Sequence, residues 1–232
     1  MQQLSSNFIV LILTLALFIA GCSSAPKVEE GVAQVAVSSS LQRRYDEAIQ
    51  LMDAQQYSAA ASAFAAIIEE TNQLSGPYLN LGLAYWQQAL QASTDQELTR
   101  QAHIDKAEQA LQKAADLDQA LSATALMQLG ILYRYTGRFE AAKTAYDRAI
   151  QLQPDLVNAY KNRAVLCDVF LQDFACAAEN YQSYRQRSGS TDEQLNLWIA
   201  DARRRAGLPS EEEIRAQQVE AASIIEEASD VE

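Results

Sequence analysis

Residues 123–156 read ATALMQLGILYRYTGRFEAAKTAYDRAIQLQPDL. Leu126, Leu129, Gly130 and Tyr133 recur at helical spacing and share one helix face. Gly137 stands where the chain must reverse, and glycine accepts the positive φ that ends many helices. Phe139, Ala142, Tyr146 and Ala149 then make one face of a second helix, which Pro154 closes. Gly130, Ala142 and Ala149 are small enough to let two backbones approach. Tyr133, Phe139 and Tyr146 are large enough to fill the space beside them. The stretch predicts two short antiparallel helices joined by a tight turn.

Neighbouring stretches repeat the pattern. Before it, Tyr78, Leu81, Gly82 and Tyr85 match Leu126, Leu129, Gly130 and Tyr133 position for position, and Ala107, Leu111 and Ala114 line the second helix. The first helices of these two units lie 48 residues apart and the second helices 35, so 13 residues are inserted between Trp86 and Lys106. Thr94 and Glu97 have the spacing of a capping box, and the insertion is expected to lengthen both helices into a protruding hairpin. Earlier still, Leu41–Glu70 gives a pair in which Tyr57, Ala60, Phe64 and Ile67 repeat the second-helix spacing. Its first helix is degenerate, with Glu47 at the place of Leu129. A fourth pair, Val157–Arg187, carries one extra residue, expected in its turn near Asp173. Thr191–Ala206 then reads as an amphipathic helix opened by a capping box of Ser190 with Glu193 or Thr191 with Gln194. Leu195, Trp198, Ile199 and Ala202 line one face, and Arg203, Arg204 and Arg205 suit its carboxyl end. It is expected to cap the last apolar face of a stack.

The 123–156 stretch resembles the tetratricopeptide repeat, a helix–turn–helix of about 34 residues. The resemblance implies an all-α fold. It would be a right-handed superhelix of about four helix hairpins with a carboxyl-terminal capping helix over residues 41–207, followed by an acidic tail over 208–232. In that family the first helix of each pair lines a concave groove. The groove residues so implied are Tyr45, Ile49 and Met52; Leu79, Asn80, Leu83 and Trp86; Met127, Ile131, Arg134 and Tyr135; and Lys161, Val165 and Asp168. The set is mostly apolar, and it lacks the Lys, Arg and Asn constellation with which some members grip a terminal carboxylate. It suits an apolar or amphipathic segment of a protein partner.

Residues Phe8–Ala20, FIVLILTLALFIA, have the length of a signal-peptide core rather than a mature membrane span. Ile19-Ala20-Gly21-Cys22 follows and resembles the bacterial lipobox. That resemblance implies a signal peptide over 1–21, palmitate and related acyl chains on Cys22, and a membrane anchor. Ser23 after the cysteine favours the outer membrane, facing the periplasm. Residues 22–40, rich in Ser, Ala and Val, read as a flexible tether that keeps the body near the membrane.

The chain of 232 residues has a net charge of −12, which argues against nucleic acid. Of that charge the stretch from Ser210 to Glu232, with eight acids and one arginine, carries −7. It reads either as a solvated disordered end or as a marginal helix capped by Ser210 and Glu213. Cys167 and Cys176 flank the turn of the fourth pair. They are either bridged, in an oxidising compartment, or a buried thiol with a free companion. No metal-ligand cluster and no phosphate loop is present in the sequence, and His103 is the only histidine. No cofactor, no metal and no small-molecule substrate is expected. The function class favoured is a scaffold or adaptor for cell-envelope assembly, similar in plan to the pilotin lipoproteins. The competing class is an enzyme whose site has no signature.

Overall fold

The computed structural model describes residues 38–229. The signal segment, Cys22 and nearly all of the tether lie outside the described residues. Within them are ten α-helices and no strand. They form four consecutive antiparallel pairs: α1 (Ser39–Asp53) with α2 (Tyr57–Glu70), α3 (Ser75–Gln91) with α4 (Glu97–Leu117), α5 (Gln119–Tyr135) with α6 (Phe139–Leu152), and α7 (Val157–Val165) with α8 (Phe174–Ser188). Then follow α9 (Glu193–Arg205), packed on α8, and α10 (Glu211–Ser229). Helix α1 opens at Ser38, whose hydroxyl accepts the Leu41 amide at 3.2 Å.

The repeat pattern explains the packing. The small positions Ala48, Ala142, Ala149, Ala164 and Ala177 are fully buried, and so are the large side chains of Phe64 and Tyr146. Alanine seams let helix axes approach closely, and the aromatic rings fill the gaps that remain. At Gly130 the approach is closest. A Cβ there would sit 2.6 Å from Tyr146 Cδ1. Pairs are also joined by polar links. Arg163 reaches back from α7 to Asp147 on α6 and donates to the Asn180 side-chain oxygen on α8 at 3.1 Å.

The 13-residue insertion lengthens both helices of the second pair, as expected. Helix α3 runs four residues beyond Gln87, the counterpart of Tyr135, and α4 starts seven residues before Ile104, the counterpart of Phe139. Two further residues enlarge the turn. The predicted Thr94–Glu97 capping box does not form. Thr94 opens a short 3₁₀ turn instead, and Glu97 pairs with Arg100. Arg100 also donates to the Ala92 and Ser93 carbonyls, both at 3.1 Å, and so supplies the donors that the end of α3 lacks.

Two local expectations are corrected. The extra residue of the fourth pair does not enlarge its turn. It is taken up as a π-helical segment, Leu166–Leu171, ended by Gln172 in the left-handed region at φ 53°. A single inserted residue is the usual origin of such a segment. Secondly, neither predicted capping box opens α9. Asp192 does so, accepting the Gln194 amide at 3.0 Å. Of the two readings of the tail, the helix capped by Ser210 and Glu213 forms, over Glu211–Ser229. The Glu213 amide donates to Ser210 Oγ at 3.1 Å, and the Ser210 amide donates to the Glu213 carboxylate at 2.6 Å, a reciprocal box. Helix α9 buries Leu195, Ile199 and Ala202 against α8 and closes the stack there, as predicted.

Candidate protein-binding groove

The first helices α1, α3, α5 and α7 occupy equivalent places in the four pairs, and α3 touches both α1 and α5. Ile49, Leu83, Ile131 and Val165 stand at one repeat position, immediately after the small residue of each seam (Ala48, Gly82, Gly130, Ala164). All four are half-buried. One side of each is packed on the helix-pair cores, and the other remains accessible. They make an apolar strip with one side chain per repeat. Tyr45 and Met52 extend it on α1, both half-buried.

The other predicted groove residues divide. Leu79, Trp86 and Met127 are each only 8% exposed and belong to the core shared by the second and third pairs. They support the groove rather than face a partner. The reason is the lengthened hairpin and the close approach of α3, α4 and α5, which cover positions that would be open in a regular array. Asn80 is spent internally. Its side-chain nitrogen donates to Tyr45 Oη at 2.6 Å and to the Gly76 carbonyl at 3.1 Å, tying the first two pairs together. Burial pushes the Tyr45 phenol above its ordinary pKa, so it stays a neutral hydroxyl in that link.

Tyr135 is 52% exposed, with its ring edge-on to Trp86 at 4.8 Å between centroids. Phe170, which the sequence pattern did not single out, is also exposed. Its ring lies 5.0 Å from that of Phe139, and the Arg134 guanidinium sits 5.9 Å from its centroid. Val169 next to it is 62% exposed. The π segment places both residues here. The signal for them in the sequence is the one-residue change of offset between Cys167 and Phe174. Asp168 is held by two partners, accepting from Tyr181 Oη at 3.3 Å and from Arg205 at 3.4 Å. Burial and this carboxylate together raise the Tyr181 phenol pKa. Lys161 is exposed, with its ammonium 5.4 Å from the Tyr184 ring centroid. Arg134 and Lys161 are thus cations beside the apolar strip, each held by an aromatic face.

Cys167 and Cys176 are bridged, with Cα atoms 5.9 Å apart. The bond ties the π segment to the first turn of α8 and so fixes the end of the strip.

His103 sits in the lengthened hairpin, stacked on Tyr85 at 6.0 Å. Burial and the nearby Lys106 lower its pKa, which keeps the ring neutral near pH 7. Its neighbours are an aromatic ring and a cation, not a carboxylate that would orient it for acid–base work. Among the described residues no three His, Cys, Asp or Glu side chains converge, and no helix is long and apolar enough to cross a membrane.

Residues 123–156 match the tetratricopeptide repeat model. No curated protein matches the chain in sequence. Among solved structures the chain is similar to the MamA protein at 20% identity, with 72% of this chain and 83% of MamA covered and a TM-score of 0.56. It is also similar to a thermophilic tetratricopeptide-repeat protein of Thermus thermophilus at 19% identity, 70% and 80% coverage and a TM-score of 0.59. A tetratricopeptide-repeat protein of Parabacteroides merdae matches at 18% identity, 73% and 61% coverage and a TM-score of 0.54. At these identities the likeness is one of fold. Residues 123–156 thus carry a tetratricopeptide repeat, and the four stacked helix pairs have the fold of a tetratricopeptide-repeat solenoid.

Proposed function

We propose that the chain is a lipid-anchored periplasmic scaffold that grips an apolar or amphipathic segment of another envelope protein along its first-helix face. The observation that carries this reading is the strip Ile49, Leu83, Ile131 and Val165, matched in register and half-buried in every pair. A helix pair that needed only stability would bury these side chains or replace them with polar ones. An apolar row with one side chain per repeat, together with the exposed Tyr135, Val169 and Phe170, is instead the kind of surface that partners cover. Arg134 and Lys161 beside it favour a segment that also carries acidic side chains. A helix presenting apolar residues at every third or fourth place would lay one anchor on each repeat.

The anchor in this proposal is Cys22, which resembles the modified cysteine of a lipobox. Two or more acyl chains hold a protein on a bilayer, whereas one alone binds reversibly. Cleavage before Cys22 and retention at the outer membrane would confine the solenoid to the periplasmic surface. Assembly of an envelope complex, such as a pilus or a secretion channel, is the setting this placement suits.

Recovery of partners from solubilised envelopes tests the groove. The intact chain is expected to retain a defined protein that the Ile131→Glu and Leu83→Glu variants lose while keeping their helical content. Equal recovery by all three would end the groove reading. The mass of the mature amino terminus tests the anchor separately, and an unacylated Cys22 would remove it.

A further inference from the structure

The first-helix face carries its charges unevenly. Residues three and four places either side of a strip residue lie within about 60° of it around the helix, so they share its face. On α1 these neighbours of Ile49 include Asp46 and Asp53, both exposed. On α3 the neighbours of Leu83 are uncharged, and the whole helix holds no charged residue. On α5 the flank of Ile131 carries Arg134, and on α7 the flank of Val165 carries Lys161. Helices α3, α5 and α7 together hold no Asp or Glu, although the chain has 30 of them. The face therefore runs from negative at α1, through neutral at α3, to positive at α5 and α7.

These charges are not spent inside the chain. Among the described residues none of Asp46, Asp53, Arg134 and Lys161 forms an ion pair. Asp46 accepts a hydrogen bond from Gln42 at 2.8 Å. Arg134 and Lys161 lie against the Phe170 and Tyr184 rings, which leaves their charge uncompensated. Asp168, just past the end of α7, is different, because Arg205 pairs with it at 3.4 Å.

Resting on the reading of this face as a groove, we infer that its ligand is an amphipathic helix that is basic where it crosses α1 and acidic where it crosses α5 and α7, and that it is bound in one direction only. The apolar anchors are alike in every repeat, so they supply affinity without direction. Opposite charges fix register and like charges exclude the reverse arrangement. Three interhelical steps of roughly 8–10 Å span about 24–30 Å, the length of about 16–20 helical residues.

The chain's own α10 does not answer this description. Its glutamates stand in the first turn, at 211–213, and again near its end, at 226 and 227. Laid along the face in either direction, it would bring acids against Asp46 and Asp53. A second copy of the chain is therefore not the occupant.

A synthetic peptide and the full-length chain in detergent test the direction. The peptide is a helix of about 18 residues with leucine at every third or fourth place, glutamates in its amino-terminal half and lysines in its carboxyl-terminal half, an order that also suits the helix dipole. A benzophenone at the glutamate end is photolysed, and its crosslinks are mapped by mass spectrometry. At low salt the crosslinks are expected to fall on α5 and α7 about five times as often as on α1. In about 1 M salt, where the screening length shrinks to about 3 Å, the ratio is expected to approach one. The variant Asp46→Lys/Asp53→Lys/Lys161→Glu changes three exposed residues and is expected to invert the low-salt ratio. A ratio near one at low salt, from a peptide whose crosslinking Ile131→Glu abolishes, would overturn the inference and leave the groove reading standing. So would an unchanged ratio in the triple variant, or a higher yield from a peptide of residues 211–229. A peptide that crosslinks to none of the first helices would end the groove reading, and the direction with it.

Discussion

Gly130 has no room for a side chain, and the reason lies one helix away. Tyr146 is fully buried against it, and a Cβ would come within 2.6 Å of the ring. Gly130→Ala is expected to cost about 1–3 kcal/mol, the range for overpacking a core. Urea unfolding of the variant measures it. Ala48 and Ala164 stand at the same repeat position and already carry the methyl group, so the loss is specific to pairs with glycine. The Tyr146 hydroxyl is itself buried without a hydrogen-bond partner among the described residues. Burial raises its pKa to about 12. A tyrosine that is harder to ionise when folded favours the native state fully below the unfolded value near 10, and this contribution falls away as pH rises toward the folded value. Stability is therefore expected to decline between about pH 10 and 12, by up to about 2–3 kcal/mol for a shift of about two units. Tyr146→Phe is expected to reduce that decline while leaving neutral-pH stability unchanged or slightly higher. Unfolding midpoints across this range, read by circular dichroism, check both statements. The seam residues were legible because each is constrained to one size by its neighbour. Asn80 was not legible as a structural residue. Its partners, Tyr45 and Gly76, lie in another helix and one turn back, and no spacing rule joins all three.

At the level of the element, the π segment shows how one extra residue becomes a surface. The sequence places an insertion between Cys167 and Phe174, but its form depends on which carbonyls the following amides reach. The Gln172 amide donates to the Cys167 carbonyl five residues back, so the extra residue stays inside the helix, and Val169 and Phe170 are exposed. The Cys167–Cys176 bond closes this short loop. Removing it by a Cys167→Ala/Cys176→Ala double change is expected to cost about 2–3 kcal/mol in the chain-entropy model. Denaturant unfolding reads the loss, and faster hydrogen exchange at 166–176 would place it locally. The lengthened hairpin was legible as two longer helices, because the offsets of 48 and 35 residues count the insertion directly. Its cap was not. Glu97 had two competing partners, the free amides of the turn and Arg100, and the charged one prevails.

Across the whole molecule, stacking decides which apolar residues are core and which are strip. Periodicity put Trp86, Met127 and Ile131 on first-helix faces alike. The stack buries the first two between pairs and leaves Ile131 half open. The distinction depends on how closely neighbouring pairs approach, which no single helix records. Two glutamate substitutions should therefore diverge. Trp86→Glu places a charge in the core and is expected to unfold the second and third pairs. Ile131→Glu is expected to change the thermal midpoint little. Thermal melts of the two variants side by side make the comparison. The measurement that bears most directly on the central claim is site-specific photocrosslinking in intact cells. A photoreactive residue is placed in turn at Leu83, Ile131 and the exposed second-helix position Ala141. If the register-matched strip is the recognition surface, positions 83 and 131 give the same crosslinked protein and position 141 does not. Crosslinks of equal yield at all three positions, or none at 83 and 131, would contradict it.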